Sequence, residues 1–334
     1  MSTLQPSQIL FFSTLLSGTA ITFSASSWFT AWIGLELNLL SFIPLLSFSK
    51  SNQYSSESSL KYFLIQALGS SLILASAPMT LYVQDITSVA ITLALLLKMG
   101  AAPLHFWFPP VVQGITWPQC ILISTIQKIA PMLLLLMVQS NMSSTILTYA
   151  SITSAVVGAI GGLNQTLTRK ILAYSSINHM SWMLAAITFN EQMWTIYFLA
   201  YALVSSSVML IMHSHQIFHF NQLSSLNIYS KGLKLTLFLS LLSMGGMPPL
   251  TGFFPKWLII QEFVFSSSFI WLSFLLGSAL LTLFYYLRIS ISSMVFSSPK
   301  MKVSLFTSSQ TVLVGVTLIN FSPLLYPFMA LFLY

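Results

Sequence analysis

The chain has 334 residues, of which 12 are Lys or Arg and 5 are Asp or Glu, so 5% are charged and 56% hydrophobic, whereas a soluble domain carries about 25% charged residues. Too little polar surface remains to cover a water-facing body, which makes lipid the expected solvent. The formal charge of +7 is scattered rather than clustered, which excludes a nucleic-acid stripe, and the single cysteine, Cys120, excludes a disulfide framework, a thiolate zinc site and a cysteine-held iron–sulfur cluster.

Met1 to Gln8 has no basic n-region and no cleavage site, so no removable signal or Arg-rich transit peptide is expected. From there, polar clusters recur at about the 20 residues that one helical crossing of a bilayer requires. The expected class is an all-α polytopic membrane protein with eleven transmembrane helices. Their spans are Gln8 to Ser24, Trp28 to Leu46, Ser59 to Tyr82, Ile86 to Phe108, Trp117 to Met137, Thr145 to Leu163, Ile171 to Phe189, Met193 to His213, Leu233 to Phe265, Phe269 to Ile291 and Thr311 to Tyr334. The ninth is too long for one straight crossing and holds Gly245-Gly246-Met247-Pro248-Pro249, with Gly252 and Pro255 behind. Two half-helices joined by irregular backbone are expected there, and Gly100 with Pro103 marks the fourth span as a second broken helix.

Charges provide a separate test of this count. If the loops alternate sides, Lys50, Lys61, Arg169, Lys170, Lys231, Lys234, Arg288, Lys300 and Lys302, nine of the twelve cations, share one face with the amino terminus. The opposite loops hold Asp85, Glu191 and, near a helix end, Glu262. Cations stay on the side from which insertion occurs, so the amino terminus is expected in the cytoplasm or mitochondrial matrix and the carboxyl terminus across the membrane.

Lys98, Lys128 and Lys256 are the cations left over, and Glu36 is the one acid deep inside a span. At 1.5 Å per residue, Glu36, Lys98 and Lys128 sit roughly 14 to 20 Å into their helices, near the bilayer centre. His179 reaches a similar depth, and Lys256 follows the break of the ninth span. Each central Lys or Asp costs about 2.5 to 3.5 kcal/mol, so ion or proton movement is the leading reading of the set. The competing reading is structural: paired charges that hold helices together, or lysines that reach the interface. His179 can simply bond a neighbouring carbonyl, and His105, just beyond Pro103, either relays protons toward the cationic side or caps the broken helix. His213, His215 and His219 read as solvated interfacial histidines, so no metal is expected. Gly158, Gly161 and Gly162 read as sites of close helix contact, since no phosphate-loop lysine and no strand accompany them.

The fourth and ninth spans differ by five. An odd unit repeated once lies upside down the second time, which predicts inverted five-helix repeats. Glu36 then corresponds to His179 and Lys98 to Lys256. Lys128 has no equally buried counterpart in the tenth span, where Arg288 lies toward the cationic end. The expected organisation is 1–144 for the first repeat, 145–292 for the second, and 293–334 for a loop and C-terminal helix.

Several strings carry a family likeness: Trp32-Ile33-Gly34-Leu35-Glu36-Leu37-Asn38, Leu97-Lys98-Met99-Gly100-Ala101-Ala102-Pro103-Leu104-His105-Phe106-Trp107, Gln127-Lys128-Ile129-Ala130-Pro131, Gly161-Gly162-Leu163-Asn164-Gln165-Thr166, Tyr174-Ser175-Ser176-Ile177-Asn178-His179 and Gly252-Phe253-Phe254-Pro255-Lys256-Trp257. In this order they resemble the antiporter-like chain 2 family of mitochondrial NADH:ubiquinone oxidoreductase (respiratory complex I), in an animal, arthropod-like form. The resemblance covers nearly the whole chain, and the tail after Arg288 matches less distinctively. It implies a proton-translocating subunit of the complex I membrane arm in the mitochondrial inner membrane, with no redox cofactor and no quinone site of its own. Implied partners are the other membrane-arm subunits, lipid, protons and internal water. Glu36 and Lys98 would be the coupled acid and lysine of the first half-channel, Lys128 the connecting lysine and Lys256 the broken-helix lysine toward the exit, with His179 at a motif position. The alternatives are a cation/proton antiporter subunit without redox coupling, which shares the architecture, and a membrane scaffold whose buried charges only fix helix register.

Overall fold

The structure, a computed structural model, describes residues 6–47, 53–138, 140–223 and 231–295 and the single positions 315, 317 and 320. The described residues are helical with no strand. In order the helices are α1 (Pro6–Phe23), α2 (Trp28–Ser47), α3 (Gln53–Ser76), α4 (Gln84–Met99), α5 (Phe108–Gly114), α6 (Trp117–Ser124), α7 (Ile126–Met137), α8 (Asn141–Leu163), α9 (Thr168–Phe189), α10 (Glu191–Ser214), α11 (Lys231–Gly245), α12 (Phe253–Phe265) and α13 (Phe269–Val295). In lipid every backbone group has to find a partner inside its own segment, which a helix provides. The many hydroxyls are absorbed the same way: Ser41 donates to Asn38 O at 2.9 Å, Ser175 to Leu172 O at 2.8 Å and Ser181 to Asn178 O at 2.6 Å, each one turn back along its own helix.

Among the described residues, six helices are long and apolar enough to cross a membrane: Trp28–Ser47, Gln53–Thr80, Trp117–Met137, Asn141–Leu163, Glu191–Ser214 and Phe269–Ile291. The expected fourth span is interrupted where Gly100 and Pro103 stand, α4 ending at Met99 and helix resuming at Phe108. The expected ninth divides into α11 and α12 around Gly246 to Gly252. The fifth, Trp117–Met137, is long enough for one crossing but carries a local break at Thr125, between α6 and α7. Thr125 has φ −115° and ψ −80°, its hydroxyl and its N–H both take the carbonyl of Ile121, and Pro131 lacks the N–H that would reach back toward this turn. Lys50, Lys300 and Lys302 lie outside the described residues, as does the span from Thr311 to Tyr334 apart from 315, 317 and 320, which are helical.

The chain forms two compact units, Met1–Thr153 and Ser154–Tyr334, with the boundary inside α8. In the first, α1 packs along α2, α3 lies between α2 and α4, and α7 touches α1, α2, α4 and α6. Small residues make the α1–α2 approach: a Cβ on Gly34 would stand 2.6 Å from Thr22 Cγ2 and 2.9 Å from Gly18 O. In the second unit α9 is central. It packs on α10, α12 and α13, and 17 of its 22 residues are buried, so it has no lipid face of any width. Helix α13 instead exposes Leu276, Leu280 and Phe284, the apolar surface expected against lipid.

The glycines read as close-contact sites take that role. A Cβ on Gly158 would lie 2.6 Å from Asn178 N, one on Gly161 would strike the Tyr174 ring, and one on Gly162 would come within 2.9 Å of the Tyr285 ring. Gly158 faces backbone, which cannot swing aside. Gly158→Val is therefore expected to cost about 1 to 3 kcal/mol by overpacking, read as a lower midpoint of thermal inactivation for the assembled protein. Gly277→Ala on exposed α13, with nothing within 4 Å of the added carbon, should leave that midpoint unchanged or slightly raised.

Candidate functional site

The first unit carries Glu36, Lys98 and Lys128 on α2, α4 and α7, and α2 and α4 each pack on both α3 and α7. Lys98 is in the last turn of α4 and 5% exposed. That helix ends because Gly100 takes the left-handed conformation, φ +71° and ψ +35°, where a side chain is strained, and because the chain then meets Pro103. A helix end leaves carbonyls without partners. Here they are satisfied from outside the helix: the Gly100 N–H turns back to Leu96 O and Leu97 O, Trp107 Nε1 donates to Leu97 O at 3.0 Å, and Gln66 Nε2 donates to Lys98 O at 2.9 Å. The same end carries the negative pole of the helix, a favourable place for an ammonium.

The Lys98 side chain lines a cavity whose polar wall is Asn38, Tyr62, Gln66 and Gln127. Three of these are joined in series. Tyr62 Oη donates to Gln127 Oε1 at 3.1 Å, and Gln127 Nε2 donates to Asn38 Oδ1 at 2.8 Å, linking α3, α7 and α2. Glu36, half-buried on α2, acts electrostatically on Lys98. It does so without the close N···O contact of a salt bridge, which among the described residues joins Lys61 and Glu57 at the surface. Lys128 follows Gln127 directly in the first turn of α7, is 2% exposed, and holds its ammonium 5.4 Å from the Phe108 ring centroid, within cation–π range. His105 lies in the loop between α4 and α5, with Nδ1 3.2 Å from Pro103 O and its ring against Phe106.

The second unit holds His179 and Lys256. Lys256 is 6% exposed in α12, and its Nζ donates at 2.9 Å to the carbonyl of Gly245, the last residue of α11. Its ammonium thus caps the end of the preceding half-helix, 5.9 Å from the ring of fully buried Trp182. Gly246, at φ +82°, makes this approach possible: a Cβ there would stand 2.9 Å from Lys256 Nζ. His179 lies in the middle of α9. Its Nδ1 is 2.9 Å from Tyr197 Oη, with the Tyr201 ring at 5.0 Å. It shares a cavity with Tyr197, Tyr201, Ser243, Gly252 and Pro255, the last two at the head of the Lys256 helix.

The neutral polar partners were not singled out in the sequence. Tyr62, Gln66 and Gly69 follow one another at i, i+4 and i+7 on α3, a helical face that a search for polar periodicity would have found. The set can hold and exchange protons through groups that donate and accept. Among the described residues no group of three or more His, Cys, Asp or Glu side chains converges to hold a metal.

Residues 25–88 and 82–282 match the family model described as NADH:quinone oxidoreductase/Mrp antiporter, transmembrane. The chain 2 protein of NADH-ubiquinone oxidoreductase from Anopheles gambiae is 44% identical over 291 residues, covering 85% of this chain and 84% of that protein. The corresponding protein of Oryctolagus cuniculus is 38% identical over 336 residues, 96% of each. Among solved structures, a chain of respiratory complex I from Thermus thermophilus has the same fold, with a TM-score of 0.87, 24% identity, and coverage of 98% of this chain and 80% of that one.

Gln127 is the link in the polar wall with the most to lose. Gln127→Leu strands Tyr62 Oη and Asn38 Oδ1 and is expected to cost about 1 to 3 kcal/mol, measured by thermal inactivation. Adding Tyr62→Phe should recover part of that loss, because the stranded hydroxyl goes with it.

Proposed function

The chain belongs to the NADH:quinone oxidoreductase/Mrp antiporter transmembrane family and, within it, to the NADH-ubiquinone oxidoreductase chain 2 proteins, and on that premise we propose that it translocates protons as an antiporter-like subunit of the complex I membrane arm. In this reading the chain works in the mitochondrial inner membrane among other membrane-arm subunits. It crosses eleven times, with the amino terminus in the matrix, and is organised as two inverted five-helix repeats over 1–144 and 145–292. Electron transfer from NADH to ubiquinone takes place elsewhere in the complex, and this chain carries no cofactor.

The observation that supports this most is the placement of three nearly fully buried lysines beside interrupted helices in an apolar chain, two of them in the two broken helices that the sequence foretells. Stability alone gives little reason to keep them, since a central charge is costly. Protons are proposed to pass along Glu36, Lys98, Lys128, His179 and Lys256, with His105 at the cationic margin. The energy scale suits the task. Two unit charges about 7 Å apart at an effective dielectric of about 20 attract by about 2.4 kcal/mol, and moving one charge across 100 mV costs about 2.3 kcal/mol. Shifting Glu36 relative to Lys98 therefore changes which lysine holds the proton by as much as part of a membrane potential does. Neighbouring subunits would drive that shift.

Lys98→Met in the assembled complex tests this. Assembly is expected to persist while protons moved per NADH oxidised fall severalfold, with Lys61→Met, at the surface, leaving pumping unchanged. Full pumping by an assembled Lys98→Met complex would remove the proposal and leave a scaffold role. Sodium-dependent proton exchange by the chain without NADH would favour the antiporter without redox coupling.

A further inference from the structure

A glycine in a helix interior gives up helix propensity and packs no side chain, so it is retained where something else needs the room. Gly69 lies two-thirds of the way along α3, and a single side chain fills the space its missing Cβ leaves. A Cβ there would stand 2.8 Å from Lys98 Cγ and 3.2 Å from Lys98 Cε, while the next atom, Ala94 O, is at an ordinary 3.4 Å. One turn earlier on the same face, Gln66 Nε2 holds Lys98 O at 2.9 Å. The lysine is thus gripped twice by α3, at its backbone and along its stem, and its side chain runs on to the cavity walled by Asn38, Tyr62, Gln66 and Gln127. A Cβ added at Gly246 would likewise meet a lysine, 2.9 Å from Lys256 Nζ and 3.0 Å from its Cδ, nearer the tip of the side chain.

We infer that Gly69 is a positioning residue for Lys98: the slot it opens in α3, with Gln66 beside it, fixes the stem so that the ammonium points into the polar cavity. The inference rests on the reading of Lys98 as a proton carrier. The clash that a Cβ creates falls on Cγ, close to the backbone, rather than on the far end of a flexible chain. Lys98 relieves it by rotating at its first torsion, which swings the whole stem away from Asn38 and Gln127.

The test is Gly69→Ala in the assembled complex. Because Ala is the better helix former, assembly and thermal stability should hold or rise, whereas protons moved per NADH oxidised should fall about twofold or more and the pH profile of pumping should move by about half a unit or more. Parental pumping with a parental pH profile overturns the inference. Should Gly69→Ala fail to assemble, the Lys98→Ala background decides: recovery once the stem is gone confirms the slot, and failure in both backgrounds shows ordinary helix packing and overturns it. If Lys98→Met itself pumps normally, the proton-carrier reading fails separately. The slot is then judged on the position of the Lys98 ammonium in a map of Gly69→Ala, where a displaced group sustains it and an unmoved one ends it.

Discussion

A polypeptide in lipid has to satisfy its own backbone, and an interrupted helix is the one place where it cannot do so by itself. The interruptions here are closed by side chains together with the turning backbone, and two of the buried lysines sit at them. Lys256 donates to the terminal carbonyl of α11, and Lys98 rides in the last turn of α4, whose carbonyls are taken up by Gly100, Trp107 and Gln66. Each feature answers the other's difficulty. The helix end supplies partial negative charge and open acceptors, and the ammonium supplies positive charge and donors. Lys98 and Lys256 depend on this pairing for their depth and direction.

Much of this was legible in the sequence because the signals are loud in so apolar a chain. A lysine within a run such as Ala94-Leu95-Leu96-Leu97-Lys98 has no ordinary explanation, and Gly100 with Pro103, or Gly246 with Pro248 and Pro249, announce a break. Burial of Lys98, Lys128 and Lys256 follows those signals. What did not show was the neutral company they keep. Asn38, Tyr62, Gln66 and Gln127 are unremarkable singly, and whether a Gln faces a cavity or a helix end depends on how α2, α3 and α7 pack, which no local pattern specifies. The division at Thr125 was hidden for a similar reason, since a threonine hydroxyl competing for a carbonyl changes backbone direction without any Gly or Pro at the turn itself.

The three lysines are held by unlike means. Lys256 has a carbonyl and an indole, Lys128 a phenyl ring, and Lys98 a distant carboxylate and an amide-lined cavity. A ring face attracts the charged form alone, whereas a carbonyl accepts a hydrogen bond from ammonium and amine alike. Lys256 therefore keeps a hold on Gly245 in either protonation state. His179 differs again, bound to a tyrosine hydroxyl able to donate or accept.

The near-total enclosure of α9 bears on biogenesis. Its 22 residues include Thr168, Ser175, Ser176, Asn178, His179 and Ser181, all buried, and it does not qualify by hydropathy as a span in its own right. Such a segment gains little by leaving the translocon for hydrocarbon alone. Its place in the bilayer therefore depends on the protein surface that α10, α12 and α13 provide, and removing any one of them would turn part of its polar sequence toward lipid.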